Sequence, residues 1–294
     1  MSTCPGIFPR RAWCCCRAVV AVAVACLLGG LGSAQGGCIN PDVLQVALIP
    51  KDALNMQEQA QQPLLQALQQ ATGKPVQLLA MASYGAVIEG LVAGQVQVAE
   101  LGPASYALLA KRTTRFAPFA TLSSGTAQGR YHSLLVVRAD SGIADIAALR
   151  GHSLALTDPS STSGAILPQR AVPQLTGGQH MAEYFSRVVY MGSHDKALRA
   201  VRTGKVQAAF VASSSNPELA DATRWRVLWR SPAIMGNPFV IDTALCPVLR
   251  EGIRQAFLTR QPRLRPWLAQ RQVREVVPVS AQDYHGIRTL LETP

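Results

Sequence analysis

Two stretches of this chain repeat one another at a fixed distance, and the repeat restricts the possible folds sharply. Residues 83–101 read SYGAVIEGLVAGQVQVAEL and residues 193–211 read SHDKALRAVRTGKVQAAFV. At an offset of 110 (193 − 83), Ser, Gly, Val, Gln and Ala coincide at 83/193, 94/204, 96/206, 97/207 and 99/209. The first copy predicts a helix over Tyr84–Ala93 with apolar positions Val87, Ile88, Leu91 and Val92, a stop at Gly94 and a strand over Val96–Leu101. The match extends backwards. A strand ending in Pro50 corresponds to Ser153–Asp158 ending in Pro159, and each is followed by a loop and a helix. From Pro50 to Ser83 is 33 residues, and from Pro159 to Ser193 is 34. Residues 57–71 predict a further helix with Pro63 in or near its first turns, and Val76–Ala80 a further strand.

Alternating strands and amphipathic helices in two copies imply an α/β fold of two lobes, each a mostly parallel sheet flanked by helices. In an open parallel sheet, ligands bind outside the carboxyl ends of the strands. The segments after Pro50, Ala80, Leu101, Pro159, Tyr190 and Val211 therefore crowd one edge of each lobe. Two such edges opposed make a cleft, faced from opposite sides by the aligned residues Tyr84 and His194.

Composition supports such a body. Of 294 residues 48% are apolar and 15% charged, enough for a large core, and 19 Pro with 23 Gly exclude a long coiled coil. After residue 35 no apolar run approaches the ~20 residues that span a bilayer. The net charge of +11 invites a nucleic-acid reading, but Arg10, Arg11 and Arg17 lie in a segment expected to be removed, leaving 11 − 3 = +8. Seven further arginines (Arg250, Arg254, Arg260, Arg263, Arg265, Arg271, Arg274) fall in one C-terminal stretch whose spacing suits the outer face of a helix. No aromatic ladder or finger spacing accompanies them, so no nucleic-acid partner is expected.

The first 34 residues form an address. The three N-terminal arginines precede the apolar run Ala18–Leu31, and Gly32, Ser33 and Ala34 follow it, as in a secretory signal peptide cleaved after Ala34. Export to the periplasm follows. Lipid anchoring is the less favoured alternative, because Cys26 and Cys38 both lack the residues that precede a lipidated cysteine. Cys4, Cys14, Cys15, Cys16 and Cys26 leave with the signal. Cys38 and Cys246 remain, giving one possible disulfide.

The segment Asp158-Pro-Ser-Ser-Thr-Ser-Gly-Ala165 carries most of the chemistry. It follows a strand and enters a helix, so Ser161, Thr162 and Ser163 supply hydroxyls beside unpaired backbone N–H groups. Gly164 permits close approach. One serine here would be a helix cap; four consecutive hydroxyls make an oxyanion site that needs no Lys or Arg. In the first lobe, Ser105 can cap a helix and Tyr106 can place a phenol in the cleft, while His194 offers an imidazole. No GxSxG elbow, HExxH, CxxC pair or Gly-rich phosphate loop is present, and Ser193-His-Asp-Lys196 meets the SxxK pattern without its partner motifs. Neither an enzyme, a metal nor a cofactor is expected.

Taken together, Leu101–Tyr106, Tyr131-His-Ser133, Val136–Ile143, Leu149-Arg-Gly151, Asp158–Gly164, Gly192–Ala197 and Arg226–Pro232 resemble the periplasmic substrate-binding proteins of phosphate/phosphite/phosphonate ABC transporters. The resemblance covers about residues 42 to 260. It implies a type II periplasmic binding fold whose lobes, joined by a hinge, close on an oxyanion. By that resemblance Ser161, Thr162, Ser163, His194 and Tyr106 hold the oxygens, with Tyr84 from the first lobe, Ser105 beside it, and Tyr131 and Ser133 near the crossover. It implies lobes of about 40–130 plus 236–294 and 131–235, a monomer, and an ABC permease as partner.

Family members that take aminoalkylphosphonates meet the ammonium with carboxylates, one of them just after the strand matching 206–211. Here Val211-Ala-Ser-Ser-Ser-Asn216 carries no acid, and Ile234-Met-Gly-Asn237 is uncharged. The expected solute is phosphite, phosphate or a small alkylphosphonate, unless Glu100 or Asp195 points inward. The alternative is a sensor subunit of the same fold, binding another oxyanion such as an arsenic species and signalling to a receptor kinase.

Overall fold

The structure, a computed structural model, describes residues 37–50, 58–124, 129–214, 217–259 and 261–292. The signal-peptide expectation for residues 1–34 lies outside them. The chain builds β1 (Leu44–Ala47), α1 (Glu58–Thr72), β2 (Val76–Leu79), α2 (Tyr84–Val92), β3 (Val98–Glu100), α3 (Pro103–Ala110) and β4 (Phe116–Ser123). It crosses through β5 (Arg130–Tyr131) into β6 (Ser133–Arg138) and β7 (Ser153–Leu156). A π-helical turn (Thr162–Ile166) then runs directly into α4 (Leu167–Leu175). Next come α5 (Met181–Tyr184), β8 (Arg187–Tyr190), α6 (His194–Arg202), β9 (Ala208–Ala212) and β10 (Trp225–Arg230). The chain returns through β11 (Ile234–Met235) to β12 (Phe239–Asp242), α7 (Pro247–Leu258), α8 (Arg265–Gln270), β13 (Glu275–Pro278) and α9 (His285–Glu292).

Two sheets result. One has six strands in the order β13-β4-β12-β3-β1-β2, the other five in the order β10-β6-β9-β7-β8. Each contains the same parallel core: β1 between β2 and β3, and β7 between β8 and β9. The sheets as wholes are mixed rather than mostly parallel. β12 runs antiparallel to β3 and β4, as does β6 to β9 and β10. The reason lies in connectivity: helical crossovers make parallel neighbours, whereas β6 and β12 each enter their sheet from the crossing segments and so run the other way.

The sequence repeat has a structural meaning. Helices α2 and α6 start at residues 84 and 194, end at 92 and 202, and are capped by Ser83 and Ser193. Those serines accept the N–H of Ala86 at 3.0 Å and of Lys196 at 3.2 Å. Gly94 and Gly204 turn the chain with φ of 74° and 72°. The repeated glutamine also has one job in both copies. Gln97 Oε1 accepts the Gln45 N–H at 2.9 Å, and Gln207 Oε1 accepts the Ser153 N–H at 3.1 Å. Each ties the loop before the third strand to the start of the first.

Both faces of both sheets are covered. Leu44, Phe119, Phe239, Phe257 and Trp267 lie on one side of the six-stranded sheet, and Val87, Leu91, Tyr106 and Tyr284 on the other. Val136, Val201 and Trp225 oppose Leu154, Tyr184 and Phe210 in the five-stranded sheet. Cys38 and Cys246 are both disulfide-bonded. Among the described residues no helix is long and apolar enough to cross a membrane.

The two crossings pair as a small ribbon, Ile234 with Tyr131 and Met235 with Arg130. Beside it Gly236 has no room for a side chain: an added Cβ would lie 2.4 Å from the Gly129 carbonyl oxygen and 2.6 Å from Thr121 Oγ1. Gly236→Ala should therefore cost about 1–3 kcal/mol of stability through forced backbone displacement. Chemical denaturation would read it, and unchanged stability would show that the crossings are not held this close.

Candidate functional site

The hydroxyl run sits where β7 leaves the five-stranded sheet. Its backbone is fixed by Thr157 N–H donating to the Gly164 carbonyl at 3.0 Å, and by Gly192 N–H donating to the Thr157 carbonyl at 2.6 Å. Gly164 packs so tightly on Thr157 that a Cβ there would stand 2.0 Å from Thr157 Oγ1. No other residue fits. Ser161 caps the turn by accepting the Gly164 N–H at 3.2 Å. The next ring is a wide one: Ile166 N–H reaches the Ser161 carbonyl at 2.9 Å, five residues back. This turn holds Ser161, Thr162 and Ser163 side by side, all nearly fully buried.

Partners converge on them from several elements. The Tyr84 phenol, at the start of α2, lies close enough to the Ser161 side chain to sense its hydroxyl, and the Tyr131 phenol in β5 lies as close to the side chains of Ser163 and Thr162. Ser133 Oγ donates to the Ser163 carbonyl at 2.6 Å. From α3, the Ala104 N–H donates to Thr162 Oγ1 at 2.8 Å, and Ser105 Oγ donates to the Ser160 carbonyl at 2.8 Å. Thus Ser161, Thr162, Ser163, Tyr84, Tyr131, Ser133 and Ser105 are gathered around one turn. Tyr106 is placed differently: its ring packs edge-on against Tyr284 at 5.4 Å, within an apolar cluster of the first sheet. An α-helix turns 100° per residue, so Ser105 and Tyr106 leave α3 in different directions.

His194 is oriented by what its other nitrogen does. Nδ1 accepts the Ala212 N–H at 3.1 Å and lies 3.0 Å from Thr157 Oγ1. A backbone N–H is a fixed donor, so Nδ1 is the bare nitrogen and Nε2 carries the proton. Sequence reasoning missed Thr157, which is buried one residue before the singled-out segment. Its partnership with His194 spans 37 positions, and nothing local announces it.

Electrostatically the groups are neutral donors. Burial pushes the Tyr131 phenol up to about 12, against the opposing hydrogen bonds of Ser163 and Thr162. Burial raises Tyr84 further, reinforced by Tyr131, Glu100 and Asp158. Both phenols stay protonated near neutral pH and present O–H groups. The buried carboxylates of both sheets are engaged. Glu100 accepts Arg271 Nη2 at 2.6 Å and Asn237 Nδ2 at 3.1 Å. Asp242 binds Arg115, and Asp158 accepts the N–H of Tyr84 at 3.3 Å and of Ser160 at 2.8 Å. Asp195 is half-buried in the first turn of α6.

A buried nest of oriented neutral donors at a helix entry suits a small, acceptor-rich anion. Family comparison agrees. Residues 46–284 match the family described as "ABC transporter, phosphonate, periplasmic substrate-binding protein". The chain belongs to that family, which is one of transport binding proteins rather than enzymes. Its two sheets, flanking helices and paired crossings are the type II periplasmic binding protein fold. A phosphate-import protein, PhnD, from Mycolicibacterium smegmatis is 24% identical over 280 residues, covering 84% of each chain. A binding protein component of an ABC phosphonate transporter from Pseudomonas aeruginosa superposes with a TM-score of 0.76 at 23% identity, over 86% of both chains. PhnD1 from Prochlorococcus marinus, solved with methylphosphonate, gives a TM-score of 0.75 at 16% identity, over 86% of this chain and 98% of that one.

The buried phenols make alkaline stability a readout. A tyrosine in the unfolded chain ionises near 10, whereas folded Tyr131 holds its proton to about 12. Its contribution is fully present below pH 10 and is lost as pH rises through 12. The melting temperature should fall steeply across that window, in step with tyrosinate absorbance. Ionisation of all tyrosines near pH 10 without unfolding would contradict the burial.

Proposed function

We propose that this periplasmic binding protein captures a small phosphorus oxyanion (phosphite, phosphate or a small alkylphosphonate) between its lobes and delivers it as a monomer to an ABC permease. Residues 40–130 with 236–294 form one lobe and 131–235 the other; secretion is directed by residues 1–34. The observation that carries the reading is the turn Ser161-Thr-Ser163. Its hydroxyls meet Tyr84 and Tyr131 in a buried site where His194 has its proton on Nε2. Hydroxyl, imidazole and backbone N–H donors stabilise an anion without a fixed positive charge. They discriminate by count, because an acceptor-only oxyanion satisfies all of them while a bulkier or more protonated one does not.

The solute is narrowed by the carboxylates. A ligand ammonium needs a buried acid, and Glu100, Asp158 and Asp242 each already have donors of this chain. Relatives named for phosphate import and solved with methylphosphonate fit the same restriction. The sensor alternative has no observation of its own in its favour, since the family is one of ABC import.

A thermal-shift panel on residues 35–294 tests the assignment with phosphite, phosphate, methylphosphonate, 2-aminoethylphosphonate, sulfate and arsenite. Ligand at 100 times its dissociation constant adds about 2.7 kcal/mol, or roughly 5–10 °C for a chain of this size. One of the first three should produce it, and sulfate should not. Thr162→Val should then weaken that ligand about tenfold or more, since a buried donor to an anion is lost. A response confined to 2-aminoethylphosphonate would overturn the carboxylate argument.

A further inference from the structure

Helices α2 and α3 both begin at the cleft edge of the six-stranded sheet, and both take a cap from the other lobe. Helix α3 has Gly102 at its N-cap, which offers no side chain, and its Ala104 N–H is met by Thr162. Helix α2 has Ser83, but that hydroxyl is engaged with Ala86. The Tyr84 N–H, at the first helical position, has no acceptor within its own helix. It donates instead to Asp158 Oδ2 at 3.3 Å, across 74 positions of sequence. Asp158 Oδ1 accepts the Ser160 N–H at 2.8 Å, so both oxygens are bound to backbone amides. The residue is 5% exposed.

This contact differs from an ordinary cap because its halves stand on separate sheets. Tyr84 belongs to the helix following β2, and Asp158 follows β7. Such a bond can exist only while the two edges are in contact. A carboxylate at a helix N-terminus gains from a charge-assisted hydrogen bond and from the helix dipole together. The repeat shows that the arrangement is one-sided. Aligning Pro50 with Pro159 sets Ile49 opposite Asp158, so the first lobe offers an apolar residue where the second offers a charge.

We infer that Asp158 is the closure latch of the cleft, a second-lobe carboxylate that docks on the first turn of α2 and sets ligand affinity without contributing an oxygen to the ligand. The inference rests on the oxyanion reading for its ligand but not for its geometry. Asp158 is a positioning residue, holding Tyr84, and with it the Tyr84 phenol, against the Ser161 turn. Binding free energy then includes the free energy of forming this bond, because ligand is retained only by the closed form.

The test uses the mature chain with Asp158→Asn, which keeps the shape and the Ser160 contact but removes the charge, and Asp158→Ala, which removes both. With methylphosphonate and phosphate as probes, the dissociation constant should rise about tenfold or more. The change should fall in the dissociation rate, with association little altered. Unchanged affinity in both variants, or a loss carried wholly by slower association, would overturn the latch. If the unmodified protein binds neither probe, the ligand reading fails by itself. The latch is then judged on amide hydrogen exchange at Tyr84 in the ligand-free protein: faster exchange in Asp158→Asn supports it, and an unchanged rate refutes it.

Discussion

The site depends on one packing constraint, the seating of Gly164 against Thr157. Because no Cβ fits there, the chain leaving β7 can fold back on the strand end and enter its helix through a wide turn. That turn holds three hydroxyls in sequence at a helix N-terminus. The same Thr157 side chain lies against His194 Nδ1, 3.0 Å away. One buried threonine therefore sets both the backbone of the donor run and the orientation of the imidazole. Loosening this contact would disperse donors that come from five separate parts of the chain.

An anion taken out of water must be repaid in hydrogen bonds. Lysine and arginine would do this at the cost of binding many anions alike. The arrangement here uses neutral groups whose protons are fixed by their surroundings: phenols held protonated by burial, hydroxyls held by turn geometry, and an imidazole whose tautomer is set by a backbone N–H. The buried charges close by are compensated separately, Glu100 by Arg271 and Asp158 by backbone amides. In the proposed binding role, recognition by such a set is stereochemical, and the walls must come together before it is complete. The bonds of Tyr84 to Asp158, Ala104 to Thr162 and Ser105 to Ser160 join elements that belong to different sheets. In the proposed latch, closure and capping are the same event.

Much of this was legible in the residues. The 110-residue offset foretold two helices with identical bounds, caps and stops, because an N-cap serine and a left-handed glycine are local requirements. The hydroxyl run was legible for the same reason. What was not legible was long-range. The parallel expectation for the sheets failed at β6 and β12, whose direction is set by the crossings rather than by their own sequence. The packing of the Tyr106 ring against Tyr284, from the far end of the chain, has no local signal either. Glu100 is an acid that the sequence leaves open to point inward, and its engagement by Arg271 is 171 positions distant. Local chemistry announces itself in sequence; pairings across the fold do not.

In the proposed complex a phosphorus oxyanion is held by the Ser161–Ser163 turn together with the Nε2 proton of His194. Imidazole nitrogen resonances of the mature protein, recorded with and without methylphosphonate or phosphate, address it directly. Nδ1 should be bare throughout, with the Nε2 proton moving downfield into a strong hydrogen bond when the oxyanion binds. A proton on Nδ1, or an Nε2 resonance indifferent to a ligand that demonstrably binds, would contradict it.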